Sequence, residues 1–210
     1  MTEKHKRFLK TVESDSYIFH IHTNFTDGTS SVKEYHDAFK NFSLIFTEHI
    51  RKNPSYNWKA FIQEVKKYGH LVGFEAKILP KGDIDIPIDA LEKIDVLAVA
   101  VHSYKDAPET LPEALRRVFN TFADMIPLVW VHPFSSPSEK LLNTSKMNYI
   151  EIVMKGFEKS LYIEWNVKKK NFTPQEVSTL KQKYKLIIGY DAHNVDELKR
   201  MVQSYRTLSS

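Results

Sequence analysis

The 210-residue chain contains no cysteine. That excludes disulfides, cysteine-ligated zinc fingers and thiol nucleophiles, and it suits a cytoplasmic protein. No apolar run approaches the roughly 18 residues of a membrane-spanning helix. The opening MTEKHKRFLKTVESDS puts charges where an export signal needs an apolar stretch. Glycine is scarce, at 6 residues. A strong charge of one sign is lacking too: 30 Lys and Arg against 26 Asp and Glu leave +4. Such a balance reads as a lysine-rich solvated surface before a nucleic-acid footprint, and its mild positive field suits a small anionic substrate.

What is present is an alternation. Seven apolar, β-branched or aromatic runs read as buried strands: 16–22, 43–49, 70–78, 95–102, 126–132, 160–166 and 185–193. Between them lie amphipathic stretches that predict helices at Ser31–Asn41, Tyr56–Tyr68, Ile88–Lys93, Pro112–Phe122, Lys146–Lys159, Pro174–Tyr184 and Val195–Leu208. Thr173 is a suitable N-cap before Pro174, Gly69 a suitable stop, and Gly156 a weak point in its helix. Strands alternating with helices imply an α/β fold with a parallel sheet. Seven units suggest a distorted (β/α)7 barrel in a single domain over 1–210, with residues 1–15 as a peripheral segment. An open doubly wound sheet is the alternative, and neither a GxGxxG nor a Walker-type loop supports it.

Nearly every run ends in a histidine or a carboxylate, at the strand ends where parallel barrels build their sites. His20 and His22 are two apart and face one way on a strand; Asp27, His49, Glu75, His102, His132, Asp191 and His193 follow. A lone histidine at a strand end is commonly a hydrogen-bonded structural residue. Six of the chain's nine at equivalent places, with acids beside them, point instead to metal ligands. Imidazole with carboxylate and no thiolate suits Zn, Mn or Fe. One catalytic zinc needs about three protein ligands, so two or three divalent ions are expected. His5, His36 and His70 fall away from this pattern and are expected to be structural or exposed.

The motifs HIHTNFTDG (20–28), FTEH (46–49), GFE (73–75), AVHS (100–103), WVHPF (130–134) and GYDAH (189–193), taken in order, resemble those of the polymerase and histidinol phosphatase (PHP) domain family across nearly the whole chain. The resemblance implies a distorted seven-stranded barrel and hydrolysis of phosphate esters by a metal-bound hydroxide at a trinuclear site. One metal would take His20, His22, Glu75 and Asp191. A second would share Glu75 and add His102 and His132, and the third would take Asp27, His49 and His193. Glu75, Asp191 and His193 are the expected catalytic residues. Thr26, Glu48 and Tyr190 depart from the family pattern of serine, aspartate and serine without removing a ligand.

Basic residues after the strands, Arg51, Lys77, Lys81, Lys105 and Lys168–Lys170, are candidates to receive anionic parts of a substrate; Arg51, Lys77, Lys105 and Lys168 lead that set. Glu164 is expected to support the site and Trp165 to point into the helix layer. The expected partner is a small phosphorylated molecule. A nuclease acting on DNA or RNA ends, a non-catalytic metal-binding scaffold and a C–N hydrolase are the competing readings. No helix–turn–helix or aromatic-basic stacking strip favours the nuclease.

Overall fold

A computed structural model describes residues 1–14, 16–136, 139 and 144–209. Its strands are β1 (Tyr17–Ile21), β2 (Ser43–Ile50), β3 (Leu71–Leu79), β4 (Asp83–Ile84), β5 (Val96–Ala100), β6 (Leu128–Trp130), β7 (Tyr162–Asn166) and β8 (Lys185–Ala192). All but β4 pair in parallel, in the order β1-β2-β3-β5-β6-β7-β8, and β8 closes on β1. The result is the expected seven-stranded barrel. β4 adds a short antiparallel rung at the end of β3.

The α-helices with described bounds are α1 (Glu3–Val12), α2 (Val32–Ala38), α3 (Trp58–Lys67), α4 (Ile88–Leu91), α5 (Leu111–Phe122), α6 (Lys146–Met154), α7 (Pro174–Lys183) and α8 (Val195–Ser209). Local chemistry sets their ends. Capping boxes Ser31/Glu34 and Thr173/Glu176 start α2 and α7. Gly69 follows α3 with φ 76°, and Gly156, φ 89°, lies just beyond α6, which therefore stops short of Lys159.

Two apolar layers follow from strand periodicity. Phe19, Ile45, Leu71, Ala98, Val129 and Ile187 belong to a cluster that fills the barrel. Their neighbours Ile18, Leu44, Phe46, Val72, Leu97 and Leu128 belong to the larger cluster beneath the helices. The N-terminal residues are not peripheral as expected. Phe8 of α1 is 1% exposed and completes the inner cluster, edge-on to Tyr162 at 5.3 Å. Arg7 pairs with Asp95 at 3.0 Å, and Lys4 donates to the Leu91 and Glu92 carbonyls. Helix α1 thus plugs the N-terminal mouth of the barrel, because a seven-strand interior leaves an apolar opening that water would otherwise wet. Among the described residues, no helix is long and apolar enough to cross a membrane.

Candidate metal centre

Strand parity delivers most of the expected ligands to the other mouth. Counting by twos from the inner layer leads from Ile45 to His49, from Leu71 to Glu75, from Ala98 to His102, and from Ile187 to Asp191 and His193. Three of the expected ligands, His20, His22 and His132, break parity and need backbone help. In β1 the register shifts between Phe19 and Ile21, and His20 sits at φ 71°. This bulge lets Phe19, His20 and His22 all face inward while Ile18 and Ile21 face the helices. His132 follows the inward-facing Val131 directly and reaches the site through φ 31°. Asp191 is also left-handed, at φ 51°. Three non-glycine residues of the cluster in that region cost of order 1–3 kcal/mol each, a concentration of strain typical of functional sites.

Glu75 lies at the centre, 1% exposed. Its Oε1 is 2.8 Å from both His102 Nε2 and His132 Nε2. Its Oε2 is 3.0 Å from His49 Nδ1, 3.5 Å from His22 Nε2 and 3.7 Å from His20 Nε2. Asp191 Oδ1 stands 3.4 Å from His22 Nε2 and 3.8 Å from His20 Nε2. Asp27 Oδ2 stands 3.3 Å from His49 Nε2 and 3.4 Å from His193 Nε2. All nine expected ligands therefore converge. They form four overlapping groups whose donor atoms lie within 4.8 Å of one another: His20/His22/Asp191, His20/Glu75/His132, His49/Glu75/His102 and His22/Asp27/His49/His193.

The donor set fits divalent metals on two grounds. His20 Nε2, both His22 nitrogens, His49 Nδ1, Glu75 Oε2 and His132 Nδ1 are buried without a hydrogen bond among the described residues. Each such atom costs about 1–3 kcal/mol unless something binds it, and most of these face one another across the mouth. The charges agree. Burial works against ionisation of Glu75, but the imidazoles of His102, His132, His20 and His49 around it hold it well below the usual carboxylate range. Asp191, also opposed by burial, is held low by His22 and His20, and Asp27 by hydrogen bonds from His193 and His49. Burial opposes a proton on His49, yet Asp27 and Glu75 push it up to about 10. Burial likewise opposes protonation of His20 and His132, which Glu164 and Glu75 raise; His193 is raised chiefly by Asp27. Without a metal, these carboxylates draw protons onto the imidazoles, and a bound cation takes the place of those protons.

A curated protein resembles this chain. It is named a probable phosphatase, from Clostridium novyi (strain NT), and is 24% identical over 183 residues, covering 75% of this chain and 71% of its own. No family model matches the chain.

The supporting residues are as telling as the ligands. Glu164, fully buried, sits 2.6 Å from His20 Nδ1 and accepts the His132 backbone N–H at 2.5 Å. It thereby holds two of the expected ligands at once, leaving His20 Nε2 to face the centre. Trp165 turns outward onto Tyr205, as strand parity expects. The departures Thr26 and Glu48 touch each other: the Thr26 hydroxyl donates to Glu48, which also accepts the Thr23 N–H at 2.8 Å and lies 3.5 Å from His22 Nδ1. The pair pins the 23–27 turn that presents Asp27.

The expected substrate-binding residues disperse. Arg51 lines a cavity of about 470 Å³ beside Asp27, His49 and His102, while its guanidinium binds the Ile50 carbonyl and approaches Asp85. Lys77 donates to the Ser103 hydroxyl, Lys105 is exposed after β5, and Lys81 follows β3 at φ 62°. Lys168 is committed internally, to the Asp191 carbonyl at 3.0 Å and Glu197 at 2.9 Å, with His193 Nδ1 at 3.2 Å. It is Lys169, 3.0 Å from Asp191 Oδ2, that lines the metal-centre cavity of about 260 Å³. Sequence reasoning had it only as one of three adjacent lysines, and nothing in the sequence distinguishes it. His5, His36 and His70 lie away from the centre: His5 reaches the Ala123 carbonyl, and His36 meets His70 at 3.1 Å.

Proposed function

We propose that this chain is a metal-dependent phosphatase acting on phosphate esters of small molecules at a trinuclear centre of the PHP type. The observation that carries the reading is the ring of buried, unpartnered imidazole and carboxylate atoms around Glu75. Its likeness to a protein named a probable phosphatase supports the same chemistry. His20, His22, Glu75 and Asp191 would hold one ion, Glu75 with His102 and His132 a second, and Asp27, His49 and His193 a third. When bound, Zn, Mn or Fe supplies Lewis acidity, lowering the pKa of water toward about 7 and offsetting phosphoryl charge.

The chain's own residues do the rest. Glu164 fixes the ring orientation of His20 and, through the His132 N–H, the strained turn that aims His132. Glu75 keeps its negative charge in a buried site because histidines surround it. Lys169 brings a cation to the cavity edge, where an ester's anionic oxygens would enter. The open cavity lined by Asp27, His49 and His102 leaves a path for water.

The deciding experiment is phosphate release from phosphomonoesters, nucleotides and short oligonucleotides by protein reloaded with Mn or Zn. Asp191→Ala serves as the control. Metal-dependent release that vanishes in the variant supports the phosphatase; release only from oligonucleotides moves the reading to a nuclease. No release by protein carrying its full metal complement refutes both.

A further inference from the structure

Next to the proposed metal centre lies a further cavity of about 530 Å³, bounded by Phe134, Glu139, Lys146, Tyr149, Lys169 and Lys170. It shares Ser135 and Lys169 with the metal-centre cavity, so the two adjoin across those side chains. Its volume lies within the range of small-ligand sites.

The lining has a definite chemistry. Three ammonium groups border it. Lys169 sits on the metal side, beside Asp191. Lys146 lies over the Phe134 and Phe172 rings at 5.8 and 6.0 Å, donates to the Asn171 carbonyl and, among the described residues, has the Glu176 carboxylate at 3.9 Å as its one counter-charge. Lys170 is set by a left-handed backbone, φ 50°. Glu139, which also lines the cavity, is 3% exposed, and its Oε2 accepts the Phe134 N–H at 2.9 Å. Its Oε1, and the hydroxyl of buried Tyr149, make no hydrogen bond among the described residues. Burial pushes Glu139 up to about 8, so near neutral pH it adds little negative charge to offset the lysines. A cavity bordered by three cations, with two unused hydrogen-bonding groups on its lining residues, is not explained by packing.

We propose that this cavity receives the organic half of the substrate and that this half carries a second anionic group, a carboxylate or another phosphate, bound by Lys146 and Lys170. Glu139 and Tyr149 then meet its hydroxyl groups. The inference rests on the phosphatase reading of the metal centre, and it narrows the substrate class to doubly anionic phosphomonoesters.

Phosphonates test it without turnover, because hydrolysis does not cleave their C–P bond. Calorimetric titration of the metal-loaded chain would compare butylphosphonate, 4-phosphonobutanoate and butane-1,4-diphosphonate. The expected result is about tenfold tighter binding of one or both doubly anionic ligands, with the better ligand distinguishing carboxylate from phosphate. Lys146→Ala and Lys170→Ala should each erode that preference. Equal binding of all three, or a preference that both variants keep, overturns the proposal. Release of phosphate from p-nitrophenyl phosphate, measured in parallel, reports on the metal centre alone. Hydrolysis without a preference rejects only the cavity, and a preference without hydrolysis rejects only the phosphatase.

Discussion

Gly189→Ala is a one-atom test of how the metal centre is braced. Gly189 lies in β8 on the inward-facing parity, directly against the Glu164 side chain. A Cβ there would overlap the Glu164 carboxylate oxygen and lie 2.5 Å from Cδ and 2.7 Å from Cγ. Glu164 is fully buried and has nowhere to retreat without leaving His20 Nδ1 and the His132 N–H. Hydrogen bonds to a charged group contribute about 1.5–3 kcal/mol each, so losing both costs about 3–6 kcal/mol, a large share of the 5–15 kcal/mol typical of folded domains. The readouts are the urea midpoint and metal ions bound per chain. Both should fall, since losing such an outer partner weakens metal affinity by about 10–100-fold. Adding Glu164→Asp, which withdraws the carboxylate by one methylene, should recover part of the midpoint in the double variant. A Gly189→Ala protein within about 0.5 kcal/mol of the parent, with full metal content, would refute the reasoning.

Glu75→Gln should lower the content of two metals together while Asp27, His49 and His193 keep a third; unchanged metal content and turnover sink the bridging role. Phe8→Ala should cost about 3–5 kcal/mol by emptying the barrel plug, seen in thermal or urea melts, and an unaltered midpoint would return α1 to the periphery. The metal-free protein should lose stability in alkali. His20, His49, His132 and His193 titrate above the ordinary value near 6.5, His49 at about 10. Their contribution is complete below about pH 6.5 and disappears as pH rises through the folded values. Asp27, Glu75 and Asp191 titrate low and contribute above about pH 4. The Tm after chelation should therefore be highest between roughly pH 4 and 6.5 and decline toward pH 10. Metal affinity should rise over the same range, and a chelated Tm that stays level from pH 6 to 10 contradicts the charge balance.

The barrel was legible because burial on both faces of a parallel strand leaves continuous apolar runs, and helix ends such as Thr173–Pro174 carry their own chemistry. The convergence of nine histidine and carboxylate side chains was legible because chemistry-bearing residues recur at strand ends. What stayed hidden depends on contacts between distant segments. Phe8 sits in a charged, helical stretch whose only sign is one buried aromatic, and nothing local says that it enters a barrel. Lys168 and Lys169 are interchangeable in sequence; a turn of the loop after β7 ties the first to Glu197 and points the second at Asp191. Glu139 looks like any surface acid until the Phe134 N–H and the wall of Tyr149 surround it.

The bulge at His20 shows where periodicity alone reaches a right result by an incomplete route. Alternation puts His20 and His22 on one face, and they do face together. Strict alternation from Phe19, however, would send both histidines outward, because Phe19 fills the barrel. One left-handed residue resolves the conflict, and it is the ligand itself. His132 and Asp191 adopt the same region, so three of the nine proposed ligands owe their aim to backbone that a β-strand does not supply. Glu164 braces two of those three directly. The strain and the brace belong together: a buried carboxylate bonded to an imidazole and to a backbone N–H holds ligands that regular strand geometry would release, and Gly189 leaves the space it occupies.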